Sequence, residues 1–167
     1  MTRNASLWKP IVVAALIAGT ADLVYASIHI ARYYSMAPQQ IFQSIARGVL
    51  GPAAMQGGWG TACLGLALEF LLTLSMAAIY IIAANRITDL SKFWWLLGPC
   101  YGIVVMVVMY TVVLPLSAVH GGGALPNGPQ MLYATILVHM FLIGLVISAC
   151  ARYLWPHRSV TVEIRGP

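Results

Sequence analysis

Residues 47–60 read RGVLGPAAMQGGWG, and residues 61–84 continue as TACLGLALEFLLTLSMAAIYIIAA. Five of the first fourteen residues are glycine, and the apolar run behind them holds one carboxylate, Glu69. A run of about 20 apolar residues is long enough to cross a bilayer. Small residues at its mouth let a neighbouring helix backbone approach closely. The run has counterparts, and together the apolar segments lie near 8–31, 60–84, 93–117 and 131–155. They predict an all-α fold: a four-helix transmembrane bundle that takes up residues 1–167 as one integral membrane domain.

Composition points the same way. The chain is 60% hydrophobic and 8% charged, against about 25% charged in a soluble domain. The net charge of +5 forms no basic patch, so the lipid bilayer is the expected partner and nucleic acid is not. The basic residues sit at segment ends. Arg3, Lys9, Arg86, Lys92, Arg152, Arg158 and Arg165 fall on one side, and Arg32 and Arg47 on the other. The positive-inside rule then predicts that both termini are cytoplasmic. Trp8, Trp59, Trp94, Trp95 and Trp155 stand at predicted segment ends, where indole rings meet headgroups. The first segment also resembles a signal peptide, with small residues before a cleavage point after Ala21. The apolar character resumes as LVYASIHIA after Asp22, which favours a full span.

Between the first two spans, residues 38–50 carry Ile41, Phe42, Ile45, Val49 and Leu50 at helical spacing. Gln39, Gln40, Gln43, Ser44 and Arg47 lie opposite. This predicts a short amphipathic helix lying on the membrane face, started by Pro38. Gly51-Pro52 breaks it, and Pro52 is a candidate start for a long second span. Along that span Gly58, Ala62, Gly65, Glu69, Thr73, Met76 and Tyr80 form one stripe, small in its first half. The stripe predicts helix packing at Gly58, Ala62 and Gly65, with Ile81 facing lipid. Gly98 and Gly102 form a GxxxG spacing in the third span, another packing signal. Residues 118–129 read as a turn-rich loop, and SVTVEIR near the end as a tail. Cys63, Cys100 and Cys150 lie within spans without CxxC spacing, and read as small packing residues rather than a disulfide or zinc framework.

Asp22 and Glu69 are the two acids inside spans. A charge at a helix centre costs several kcal/mol, about 3 on insertion scales, so such residues turn inward and find partners. Counted from the segment ends, Asp22, Glu69, His139 and Tyr110 fall at similar depth. Tyr25 and His29 share the face of Asp22. Three readings fit this cluster. It is a structural hydrogen-bonded network, a proton or cation site, or a metal site with Asp22, Glu69 and His139 as candidate ligands. Haem is disfavoured, because His29 and His139 form no level pair. The sequence requires no cofactor, and it carries neither a Ser-His-Asp set nor a nucleotide loop, so an enzyme is not the expected class.

IAGTADLVYASI (17–28), RGVLGPAAMQGGWGTACLGLALEF (47–70), YGIVVMVVMYTVVLPLS (101–117) and LVHMFLIGLVIS (137–148) together resemble a widespread group of small bacterial inner-membrane proteins of unknown function. The resemblance covers most of the chain. It implies four transmembrane helices in a bacterial inner membrane and no established activity. In that group a histidine often stands where this chain has Glu69, a departure that weakens any metal site carried over. Small multidrug transporters are similar in type only, because their buried Glu lies in the first helix, where this chain has Asp22. The functional classes are therefore a membrane protein built around a structural polar cluster, a proton-coupled small-solute or cation transporter, and an accessory subunit of a larger membrane complex. A homo-oligomer fits the second. A pocket lined by the acids would favour the transporter. An exposed GxxxG face would favour the accessory subunit.

Overall fold

A computed structural model describes residues 7–119 and 128–154, and every regular element among them is helical. Helix α1 runs Trp8–Tyr34 and α2 runs Pro38–Leu50. A 3-10 turn, Gly51–Gln56, leads to α3, Gly58–Arg86. After the short α4, Thr88–Lys92, come α5, Trp94–Leu116, and α6, Pro129–Tyr153. Helices α1, α3, α5 and α6 are each long and apolar enough to span a membrane, close to the expected segments. The chain is an integral membrane protein. Four crossings put Trp8 and Tyr153 on one face, the terminal face, and α2 on the other. Arg3, Trp155, Arg158, Arg165, most of the 118–129 loop and the tail lie outside the described residues.

Local chemistry sets the breaks. Gln40 Oε1 accepts a hydrogen bond from Ala37 N at 2.9 Å, capping α2 behind Pro38. Gly51 ends it at φ +63°, a left-handed value that glycine takes without a Cβ clash. The second span does not begin at Pro52. The 3-10 turn and Gly58, at φ +57°, separate the two. Gly58 therefore serves the turn rather than the packing stripe. A β-carbon there would meet only Gln39 Nε2, 4.0 Å away.

Helix α2 does not merely lie on the membrane face. It folds back onto α3, which buries Ile41, Gln43 and Ala46. At the crossing, a β-carbon on Gly65 would collide with the Phe42 carbonyl and come within 3.2 Å of Ala46 N. The small half of the stripe thus receives α2. The α2 polar face is split as a result: Gln43, expected outside, is 3% exposed. Its Nε2 donates to Gly58 O at 3.1 Å and Thr61 Oγ1 at 3.2 Å.

In the bundle, α1 packs on α3 and α6, and α5 packs on α6. Gly98 and Gly102 face Ser148, Gly144 and the His139 carbonyl of α6 at backbone range. Helices α3 and α5 meet mainly through side chains. Tyr80 and Tyr101 rings lie 5.0 Å apart, and Tyr101 Oη donates to Met76 O at 2.8 Å. Ile81, expected to face lipid, is 2% exposed and belongs to the core, whereas Ile79 is 63% exposed. Ile81 follows Tyr80 of the stripe by one residue, about 100° round the helix, and shares a core cluster with Ala14 and Ala18 of α1 and Ile143 and Ile147 of α6. Cys150 is a buried packing residue, but Cys63 and Cys100 point outward. Trp8, Trp59 and Trp95 are exposed at span ends.

Candidate functional site

The site begins at a close approach between α1 and α3. Gly19 is buried against Thr73 and Phe70, and a β-carbon on Gly19 would lie 2.9 Å from Thr73 Oγ1. The helices are antiparallel. Asp22 is three residues from Gly19 and Glu69 four from Thr73, both toward the α2 face. At about 1.5 Å per residue these steps bring the two acids to one level. Their carboxyl groups are close enough to interact. Counted from Gly58, Glu69 lies about 16 Å into its helix, near the middle of a hydrocarbon core about 30 Å thick.

His139 of α6 stands near Asp22. Its Nδ1 lies 2.9 Å from Thr135 O. Tyr110 of α5 reaches the Thr135 side chain and lies within electrostatic range of Asp22. Thr135, which carries no signal in the sequence, is therefore shared by His139 and Tyr110. Tyr25 and His29 form a second group nearer the α2 face. Tyr25 Oη lies 3.3 Å from His29 Nδ1, the rings stack at 5.2 Å, and His29 Nε2 lies 3.0 Å from Met131 Sδ.

The backbone is irregular at the same depth. Met109–Val113 and His139–Leu145 form π turns, which carry Tyr110 and His139. Pro115 follows the first. Its ring has no N–H and presses on the carbonyl one turn back, which accounts for the widened turn. Among the described residues, no three His, Cys, Asp or Glu side chains converge to hold a metal ion. Asp22, Glu69 and His139 are thus neighbours without being a three-ligand set.

Glu69 has a second environment. It lines a cavity of about 380 Å³ between α3 and α5, roofed by α2. Ile45 and Val49 of α2, Leu72 of α3, and Met109, Val113 and Leu114 of α5 are among the apolar residues of the wall. Ala118 N donates to Gly48 O at 2.8 Å and ties the roof to the end of α5. Two other crevices, of about 330 and 230 Å³, contain no acid.

A second polar layer lies nearer the terminal face. Tyr80 Oη donates to Leu90 O at 3.1 Å and lies by the Ser148 hydroxyl. The sequence signalled Tyr80 through its stripe but gave no pointer to Ser148 or Tyr101. Comparison with protein-family models, with curated proteins and with solved structures yields no match to this chain.

Proposed function

We propose that this membrane protein is a proton-coupled carrier of small cationic solutes, with Glu69 and Asp22 as its exchange site. One observation carries the reading: the Glu69 carboxyl meets Asp22 on one side and a cavity on the other. Two adjoining carboxylate charges repel, so a pair in hydrocarbon holds a proton between them. An entering monocation can take that proton's place. The O–H bond of the pair breaks, the proton leaves, and the cation balances the freed carboxylate. Site charge is the same before and after, so the exchange adds no net charge to the bilayer interior. His139 and Tyr110 flank Asp22 and bias which carboxyl keeps the proton.

The accessory-subunit reading has less support. Gly98 and Gly102 are used inside the bundle against α6 and are not offered to another protein. The resemblance to small bacterial inner-membrane proteins and the basic asymmetry belong to the same proposal, with both termini cytoplasmic and α2 on the opposite face.

The test is proton release. Proteoliposomes holding a pH indicator receive tetramethylammonium or ethidium under an imposed pH gradient. Cation-dependent proton movement above that of protein-free vesicles is expected, and Glu69→Gln and Asp22→Asn should abolish it, because an amide accepts hydrogen bonds but does not exchange a proton. Wild-type traces that match empty vesicles, or variants as active as wild type, would overturn the reading.

A further inference from the structure

We infer that the cavity between α3 and α5 takes a lipophilic organic cation directly from the surrounding lipid leaflet. Its charged nitrogen would sit at Glu69 and its apolar body against Ile45, Val49, Leu72 and Val113. The inference rests on the exchange reading of Glu69 and names the solute class and its route.

The route follows from what closes each side. Toward the α2 face, the roof helix is tied to α5 by the Ala118 N to Gly48 O bond. Toward the terminal face, the Tyr101 and Tyr80 rings lie 5.0 Å apart at a tilt of 56°, and Tyr101 Oη donates to Met76 O. The lateral side is left. Leu71, two residues from Glu69, lines the cavity and is 58% exposed, and Val49 on the roof is 60% exposed. The mouth therefore opens at hydrocarbon depth, and a solute reaches Glu69 by way of lipid.

The solute class follows from the wall. A bare metal cation needs a shell of oxygens, six to eight for calcium. Among the described residues, the side-chain oxygens on the wall besides Glu69 are the Ser44 and Ser117 hydroxyls, two neutral groups that with one carboxyl fall short of such a shell. An organic cation with spread charge leaves water more easily and needs no such shell. A neutral acyl chain would fill the volume but leave the carboxyl without a counter-charge. Arg47, one residue from Gly48, is not among the lining residues, so among the described residues no basic side chain on the wall competes for Glu69. The volume of about 380 Å³ falls at the small end of ligand pockets, about 300–1,000 Å³, which favours a slender or compact body.

The experiment uses the full chain in lipid nanodiscs and labelled octyltrimethylammonium, with binding to empty nanodiscs subtracted. Saturable binding is expected. Glu69→Gln should weaken it by about tenfold or more. Val113→Trp, which takes up cavity volume and leaves both acids in place, should weaken it similarly. Gly48→Leu tests the same volume from the roof, should α5 not tolerate a tryptophan. A hundredfold excess of sodium should not displace the probe. If both filling variants bind as wild type while Glu69→Gln does not, the lateral cavity is wrong and the exchange reading stands. If sodium displaces the probe, the solute class is wrong. If Glu69→Gln binds as wild type, both readings fall.

Discussion

Gly19 on α1 lies against Thr73 on α3 so closely that a β-carbon would sit 2.9 Å from Thr73 Oγ1 and 3.0 Å from the Phe70 ring. This contact, one turn from the acids, sets the spacing of Asp22 and Glu69. Thr73 is held in turn: its hydroxyl donates to Glu69 O at 3.0 Å. Gly19→Val should wedge the helices apart, with overpacking costing about 1–3 kcal/mol. A cross-link reports the separation. Asp22→Cys with Glu69→Cys should form a disulfide on mild oxidation, and adding Gly19→Val should slow its formation sharply. Equal rates would show that Gly19 does not set the spacing.

Gly65 faces backbone rather than side chains. A β-carbon there meets the Phe42 carbonyl of α2, and a carbonyl cannot rotate away. Gly65→Ala should therefore lift α2 off α3, lowering thermal stability in detergent and exposing residues 38–50 to protease. Gly60→Ala is the control. Nothing lies within 4 Å of its β-carbon, and the change should be within about 0.5 kcal/mol of neutral.

The two glycines of α5 should answer differently to repair. At Gly98 a β-carbon strikes the Ser148 side chain and lies 3.0 Å from Gly144 O; at Gly102 it strikes the His139 carbonyl. Gly98→Ala should destabilise, and adding Ser148→Gly should restore part of the loss. The same second change should do nothing for Gly102→Ala. Thermal melts of the four variants decide it, and equal rescue of both would mean that the contact at Gly102 yields.

Orientation is open to a direct test. A reporter active only outside the cytoplasm should be silent when fused after Tyr153 and active within residues 120–127, for example at Gly122. The reverse pattern would put α2 in the cytoplasm and overturn the orientation proposed from the basic residues.

The spans were legible because their signals are local and long: apolar length, tryptophans at the ends and proline at the starts. The level of the acids was legible by counting, since an α-helix has a fixed rise. Other features depend on contacts distant in sequence. Gln43 looks like a solvated residue until α2 folds back and gives it Gly58 O and Thr61 Oγ1. Ile81 looks like lipid surface until α1 and α6 cover it, because an apolar residue carries no mark of which apolar medium it meets. Thr135 is a short polar residue whose role appears only once Tyr110 and His139 are placed beside it. The π turns that hold Tyr110 and His139 depart from a uniform 3.6-residue count, and no residue pattern in the sequence marks them.

Tyr101 closes the side of the bundle that α3 and α5 otherwise leave loosely packed. Its hydroxyl donates to Met76 O, and its ring lies against Tyr80. The Met76 carbonyl lies inside α3, within the regular helical ladder, so removing the hydroxyl strands no buried acceptor. The loss should then be small, about 0.6 kcal/mol by the average for polar contacts in membranes. Tyr101→Phe keeps the ring and should cost about that much in an unfolding assay. Tyr101→Ala removes the ring as well, and truncating a large aromatic costs about 3–5 kcal/mol in soluble cores. If the ring closes the gap, a thiol reagent dissolved in lipid should reach a cysteine placed at Met76 in the Ala variant and not in the Phe variant. Equal labelling of both would mean that α3 and α5 are held together by something other than Tyr101.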